Sequence, residues 1–133
     1  MGIKTSIILG LLISGAFPFA TVYLWQYRNW EAYSREGSVI DAIIFLKKSP
    51  TFKFDGIPDS IKVIGVETLR MPWTWEVKIS FDCRNSGYGD RTGKIVLPVI
   101  TSHEISIVVS KGRVIRAIID GRWDETQQCF TPL

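Results

Sequence analysis

Three patterns of apolar and polar positions follow one another along the chain. Residues 5–25, TSIILGLLISGAFPFATVYLW, form an apolar run without a charge, set between Lys4 and Arg28. A bilayer core of roughly 30 Å takes about 20 apolar residues at about 1.5 Å each, so the run is long enough to cross a membrane as a helix. Residues 38–48 repeat their apolar positions at helical spacing. From Thr51 onward the period falls to two, as in half-buried strands.

Ser38 reads as an N-cap with Asp41 three residues on, opening a helix that runs through Lys48 and stops at Ser49-Pro50. Val39, Ile40, Ala42, Ile43, Ile44 and Leu46 cover more than half its circumference, so the helix is predicted to lie against a sheet. Before it, Gln26 to Gly37 is polar and aromatic and reads as a continuation of the first helix, breaking near Gly37. Thr51 to Asp55 reads as a short strand ended by Gly56, Pro58 and Asp59. Ser60 to Leu69 reads as a second, with Gly65 at a bulge.

The clearest strand is Thr74 to Cys83. Trp75, Val77, Ile79, Phe81 and Cys83 share one face, and Thr74, Glu76, Lys78, Ser80 and Asp82 the other, as expected of a strand buried on one side. Lys94 to Ser110 reads as one long strand or two pieces bent at Pro98. Ser110-Lys111-Gly112 turns it into a hairpin partner at Arg113 to Asp120. The tail from Gly121 is polar, with Trp123 and Phe130 as anchors. The predicted fold is α+β: an N-terminal transmembrane helix (anchor and flanks, residues 1–30), then a domain at 31–133 with one short helix packed on a four- to five-stranded antiparallel sheet.

A cleaved signal peptide is the rival reading of the N-terminal run. The run is longer than the usual core of about 7–15 residues, and Pro18 and Phe19 stand where small residues are wanted, which favours an uncleaved anchor. Tyr23, Trp25, Tyr27, Trp30 and Tyr33 at its exit match the aromatic belt of a membrane interface. Counting Lys and Arg alone places the following domain in the cytoplasm. A very short N-terminal flank and the weak effect of charge on folded domains favour an extracytoplasmic one, and that is the orientation expected here.

Of the 133 residues, 16 are Lys or Arg and 13 Asp or Glu, and removing Lys4 and Arg28 leaves 14 against 13. The domain is thus nearly neutral, without the basic patch that nucleic-acid binding needs. Cys83 and Cys129 are the only cysteines. In an oxidising compartment they are candidates for one disulfide, worth on the order of 4 kcal/mol by chain-entropy arithmetic; the alternative is two free thiols. No Cys/His spacing suits zinc, and no cofactor is expected.

The order of helix then meander, closing in the hairpin EISIVVSKGRVIRAIIDGRWDE, resembles the cystatin-like and PepSY-like group of small α+β domains over residues 38–125. The stretches SPTFKFDGI, CRNSGYGDRTG and VIRAIIDGRWDE are similar to an uncharacterised group of archaeal single-pass membrane-anchored proteins, a likeness that implies an anchor and no activity. Cystatin inhibitors carry a Gln-x-Val-x-Gly loop. Ile61-Lys62-Val63-Ile64-Gly65 lacks the Gln and falls in a predicted strand, so protease inhibition does not transfer.

Residues 84–93, RNSGYGDRTG, are the ligand-binding candidate, because a loop of about ten residues exceeds the usual hairpin connection. Arg84 and Arg91 would fork onto an anion, Tyr88 would stack on a ligand, Asp90 would complete the set, and the glycines would allow close approach. The alternative is a self-satisfied loop in which Asp82 and Asp90 pair the arginines. Asp82, Asn85 and Asp90 also suggest calcium, but without EF-hand spacing. His103 is the only histidine and shares parity with Ile105 and Ile107, so it is predicted to face the core.

Asp120, Asp124 and Glu125 read either as paired carboxylates or as caps of the last hairpin. Trp73, beside Pro72, and Trp123 are the interface candidates. One histidine, no nucleophile-base pair, no metal set and no phosphate loop point away from catalysis. The expected function is a membrane-anchored interaction module, an accessory or assembly subunit held in the lipid bilayer by residues 5–25, with a protein partner or a second copy of itself. The alternatives are an anion sensor using the 84–93 loop and a hydrolase built on His103 with Asp120 or Asp124.

Overall fold

The computed structural model describes residues 33–70 and 73–132. The run at 5–25 lies outside them; among the described residues no helix is long and apolar enough to cross a membrane. Among the described residues, two helices, a short 3-10 turn and six strands follow in order: α1 Arg35–Lys48, α2 Pro50–Asp55, the turn Pro58–Ser60, β1 Lys62–Arg70, β2 Thr74–Cys83, β3 Thr101–Ser110, β4 Arg113–Ile119, β5 Trp123–Asp124 and β6 Cys129–Phe130. The strands form one antiparallel meander in sequence order. The α+β class, the main helix and the antiparallel sheet are as expected, while the tail adds the pair β5–β6 and raises the strand number to six.

The N-cap of helix α1 lies four residues earlier than expected. Ser34, not Ser38, is the N-cap, its Oγ accepting from the Gly37 N–H at 3.2 Å. Glu36 in the first turn and Lys47 and Lys48 in the last suit the helix dipole. Gly37 therefore sits inside the helix instead of breaking it, and Ser38 becomes part of the buried stripe Ser38, Ala42, Leu46 that rests on the sheet. The stripe is narrower than the apolar positions suggested, since Ile40 and Ile44 face outward.

Residues 51–55 are helical, which corrects the short strand expected there. Pro50 has the fixed φ and missing N–H that suit the first helical position, and one turn brings Thr51 and Asp55, four apart, onto the same side. Both are buried. The chain then reaches β1, where a register shift between Val63 and Gly65 leaves Ile64 unpaired opposite β2. The bulge expected at Gly65 is thus found one residue away.

Strand β2 has the predicted limits and alternation, with Val77, Ile79, Phe81 and Cys83 buried on the helix side. Its partner β3 begins only at Thr101, so residues 94–100 are loop, correcting the long strand expected from Lys94. Pro98 has no N–H to offer a ladder. Lys111 and Gly112, both with positive φ, close β3 onto β4 as a two-residue turn between the paired Ser110 and Arg113. The core joins Ala42 and Leu46 of α1, Phe52 of α2, and the inward residues of β2, β3 and β4.

Candidate contact surface

Loop 84–100 is fastened to the body by a buried polar network drawn from three distant segments. Arg91 donates from Nη2 to Asp55 Oδ1 at 2.5 Å and to the Thr51 carbonyl at 2.9 Å, and from Nη1 to the carbonyls of Ser86 and Gly87 at 3.1 and 2.7 Å. Its guanidinium also lies 4.7 Å above the Phe54 ring. The other oxygen of Asp55 accepts from the backbone and side-chain nitrogens of Asn85. Glu125, buried in the tail, accepts from the Thr51 N–H at 3.0 Å, the Thr51 hydroxyl at 2.6 Å and Trp123 Nε1 at 2.9 Å. Thr51 Oγ1 in turn accepts from the Gly89 N–H.

This arrangement corrects the ligand role expected of Arg91. Its charge is neutralised and four of its hydrogen bonds are internal, so it cannot fork onto an anion without leaving Asp55 unpaired in a buried site. Arg84 is exposed. Asp90 is also exposed and accepts from the N–H and hydroxyl of Thr92; those hydrogen bonds hold its carboxyl below the usual range. Asp82 accepts from Ser102, and neither Asp82 nor Asp90 pairs an arginine. Among the described residues no three His, Cys, Asp or Glu side chains converge to hold a metal ion.

Tyr88 is a core-edge residue, not a free stacking platform. Its ring lies parallel to Trp123 at 5.7 Å and 5.2 Å from the His103 ring, with Phe130 edge-on to both Tyr88 and Trp123. Its hydroxyl donates to Asp120 Oδ2 at 3.0 Å, and burial, with that hydrogen bond added, raises its pKa. His103 faces the core as its parity predicts, and its Nδ1 lies 2.7 Å from the same Asp120 oxygen. Its Nε2 is buried without a partner.

The three tail carboxylates go separate ways: Asp120 to His103, Asp124 to the backbone of Thr126 and Gln127, and Glu125 to Thr51. Ser102 and Glu104 are exposed while their neighbour His103 is buried, as alternation along the strand requires.

Of the interface candidates, Trp123 is half-buried in the aromatic cluster and Trp73 is half-buried against the Tyr33 ring at 5.4 Å, with its Nε1 shielded and unpaired. Neither stands free of the body. Cys83 and Cys129 are free thiols, the first buried and the second exposed, in place of the disulfide considered from sequence.

What stands out to solvent is a segment first read as strand. In residues 94–100, KIVLPVI, Ile95 is fully exposed, Leu97 and Ile100 are each 67 % exposed and Val99 is 59 % exposed. The segment is held by hydrogen bonds from the Ser86 N–H to the Leu97 carbonyl at 3.0 Å, from the Leu97 N–H to the Ser86 hydroxyl at 3.2 Å, and from the Val99 N–H to the Leu97 carbonyl at 2.8 Å. Sequence reasoning missed it because an apolar run is the signature of a buried strand; the run of apolar residues without alternation around Pro98 was the available warning.

Fold and surface together define a small α+β domain with an antiparallel meander, a buried polar fastening and an apolar display loop. No protein-family model, curated protein or solved structure matches the chain.

Proposed function

We propose that this chain is a membrane-tethered, non-catalytic interaction module, an accessory or assembly subunit whose loop 94–100 seats in an apolar groove of a protein partner. The observation that carries this reading is the display of Ile95, Leu97, Val99 and Ile100 on a loop fixed at its base. Contiguous exposed apolar surface costs solubility and marks contact sites. The tether is the charge-free run at residues 5–25.

A protein partner is favoured over lipid by where the loop lies in the domain. The loop leads into Thr101, which pairs with Cys83 at one end of β2. Tyr33, the first described residue, accepts from Trp75 Nε1 at the other end, beside the Ser110–Arg113 turn. Ten residues of strand separate the two ends by about 30 Å. Within the domain the apolar loop therefore lies at the end remote from Tyr33.

The test places a photoreactive side chain at position 97 of the full-length protein in native membranes. One protein should be captured there, and the same protein should co-purify with the wild-type chain and be lost with Ile95→Asp/Leu97→Asp at unchanged Tm. Adducts to lipid alone, or co-purification unaffected by the double substitution, would overturn the proposal.

A further inference from the structure

Strand β1 is the margin of the sheet, nine residues long, and among the described residues no strand lies on its outer side. Glu67 on it stands directly opposite Glu76 of β2. Lys78 attends Glu76 at 3.9 Å, and among the described residues no cation lies within ion-pair distance of Glu67. Like charges opposed across a ladder destabilise it, so a cation on the open side of Glu67 would relieve the pair. β1 itself carries two, Lys62 and Arg70.

The bulge at Ile64 decides how Lys62 can be used. Lys62, Gly65 and Glu67 pair with Ser80, Lys78 and Glu76 and so share the solvent face, while Val63 and Val66 pair with Ile79 and Val77 and share the helix face. A two-fold axis perpendicular to the sheet, between Ile64 and Gly65, then sets Lys62 opposite Glu67 of a second copy, twice, and Val63 opposite Val66 of that copy, also twice. Every side chain keeps its face. In a regular strand the same register would flip each residue to the wrong side. An axis through Val66 instead opposes Lys62 with Arg70, two cations.

Charges and bulges on an edge strand ordinarily guard it against pairing. Here they are self-complementary in the Lys62–Glu67 register and repel in the Lys62–Arg70 register. We propose that two copies of this chain pair antiparallel through β1 in the Lys62–Glu67 register, joining their sheets and covering Val63 and Ile64, both exposed in the single copy.

The experiment uses the full-length chain in detergent micelles at micromolar concentration. Sedimentation should find a dimer, and a zero-length carbodiimide crosslinker should join Lys62 to Glu67 between copies, as read from mixed isotope labelling. Lys62→Glu or Glu67→Lys alone should weaken the dimer roughly tenfold or more, and the two together should restore it. Glu67→Lys should hold or raise the Tm of the domain, because it removes the repulsion with Glu76, which separates loss of pairing from loss of fold. A monomer, a dimer indifferent to the single substitutions, or a double variant that stays monomeric would overturn the proposal. Ile95→Asp/Leu97→Asp should leave the dimer intact, so the loop and the edge strand are tested independently.

Discussion

Arg91 and Asp55 lie thirty-six residues apart in sequence and meet as a buried ion pair, with side chains 3 % and 5 % exposed. The pair closes the loop between β2 and β3 onto helix α2, and each member has further internal partners. Removing one leaves the other charged and dehydrated. Arg91→Met or Asp55→Ala should therefore cost about 3–5 kcal/mol in denaturant unfolding. The double variant should lose much less than the sum of the two. Additive losses would mean that the two side chains do not depend on each other.

The Asp120–His103 contact gives a pH signature. Burial pushes the Asp120 carboxyl up, but hydrogen bonds from His103, the Glu104 N–H and Tyr88, with the His103 charge, outweigh it and leave the pKa lowered. The folded protein then holds the carboxylate at a pH where the unfolded chain has begun to protonate it. Its stabilising contribution is fully present above about pH 4, the unfolded value, and is lost as the pH falls through the lower folded value. Asp120 has positive φ, which Asn tolerates as well as Asp does, so Asp120→Asn is a clean probe. Unfolding free energy between pH 2 and pH 5 should fall less steeply in that variant than in the wild type.

Ser34 and Ser38 should respond oppositely to the same substitution. Ser34 caps α1, and Ser34→Ala should cost about 1 kcal/mol. The Ser38 hydroxyl is buried with no partner, so Ser38→Ala removes an unsatisfied polar group and should be neutral or stabilising by about 1 kcal/mol. Thermal unfolding of the two variants decides between this helix start and the one expected from the capping pattern at Ser38.

The two thiols should differ in reactivity. Burial, with Asp55 nearby adding to it, pushes the Cys83 pKa up to about 12, and the side chain is inaccessible. Cys129 is exposed. Iodoacetamide on the native protein at pH 8 should give one adduct, at Cys129, and a second only after denaturation. Recovery of neither adduct without reductant would show a disulfide in place of free thiols.

Strands β2 and β4, the Lys111-Gly112 turn, the inward-facing His103 and the α+β class were all legible in the sequence, because alternation along one strand and positive φ at a turn are local. Segments 51–55 and 94–100 were misread, because a short apolar stretch has the same local pattern whether it coils against a neighbour, pairs with one or projects into solvent. The partners of Thr51, Asp55, Arg91 and Glu125 lie up to seventy-four residues apart, and no spacing rule connects them. Arg91 was read as an anion ligand or a partner of Asp82 or Asp90, and Glu125 as one of a carboxylate cluster or a cap of the last hairpin. That one is the counter-ion of Asp55 and the other the acceptor for Thr51 was decided by tertiary packing, since a buried charge must find its partner wherever the fold brings one.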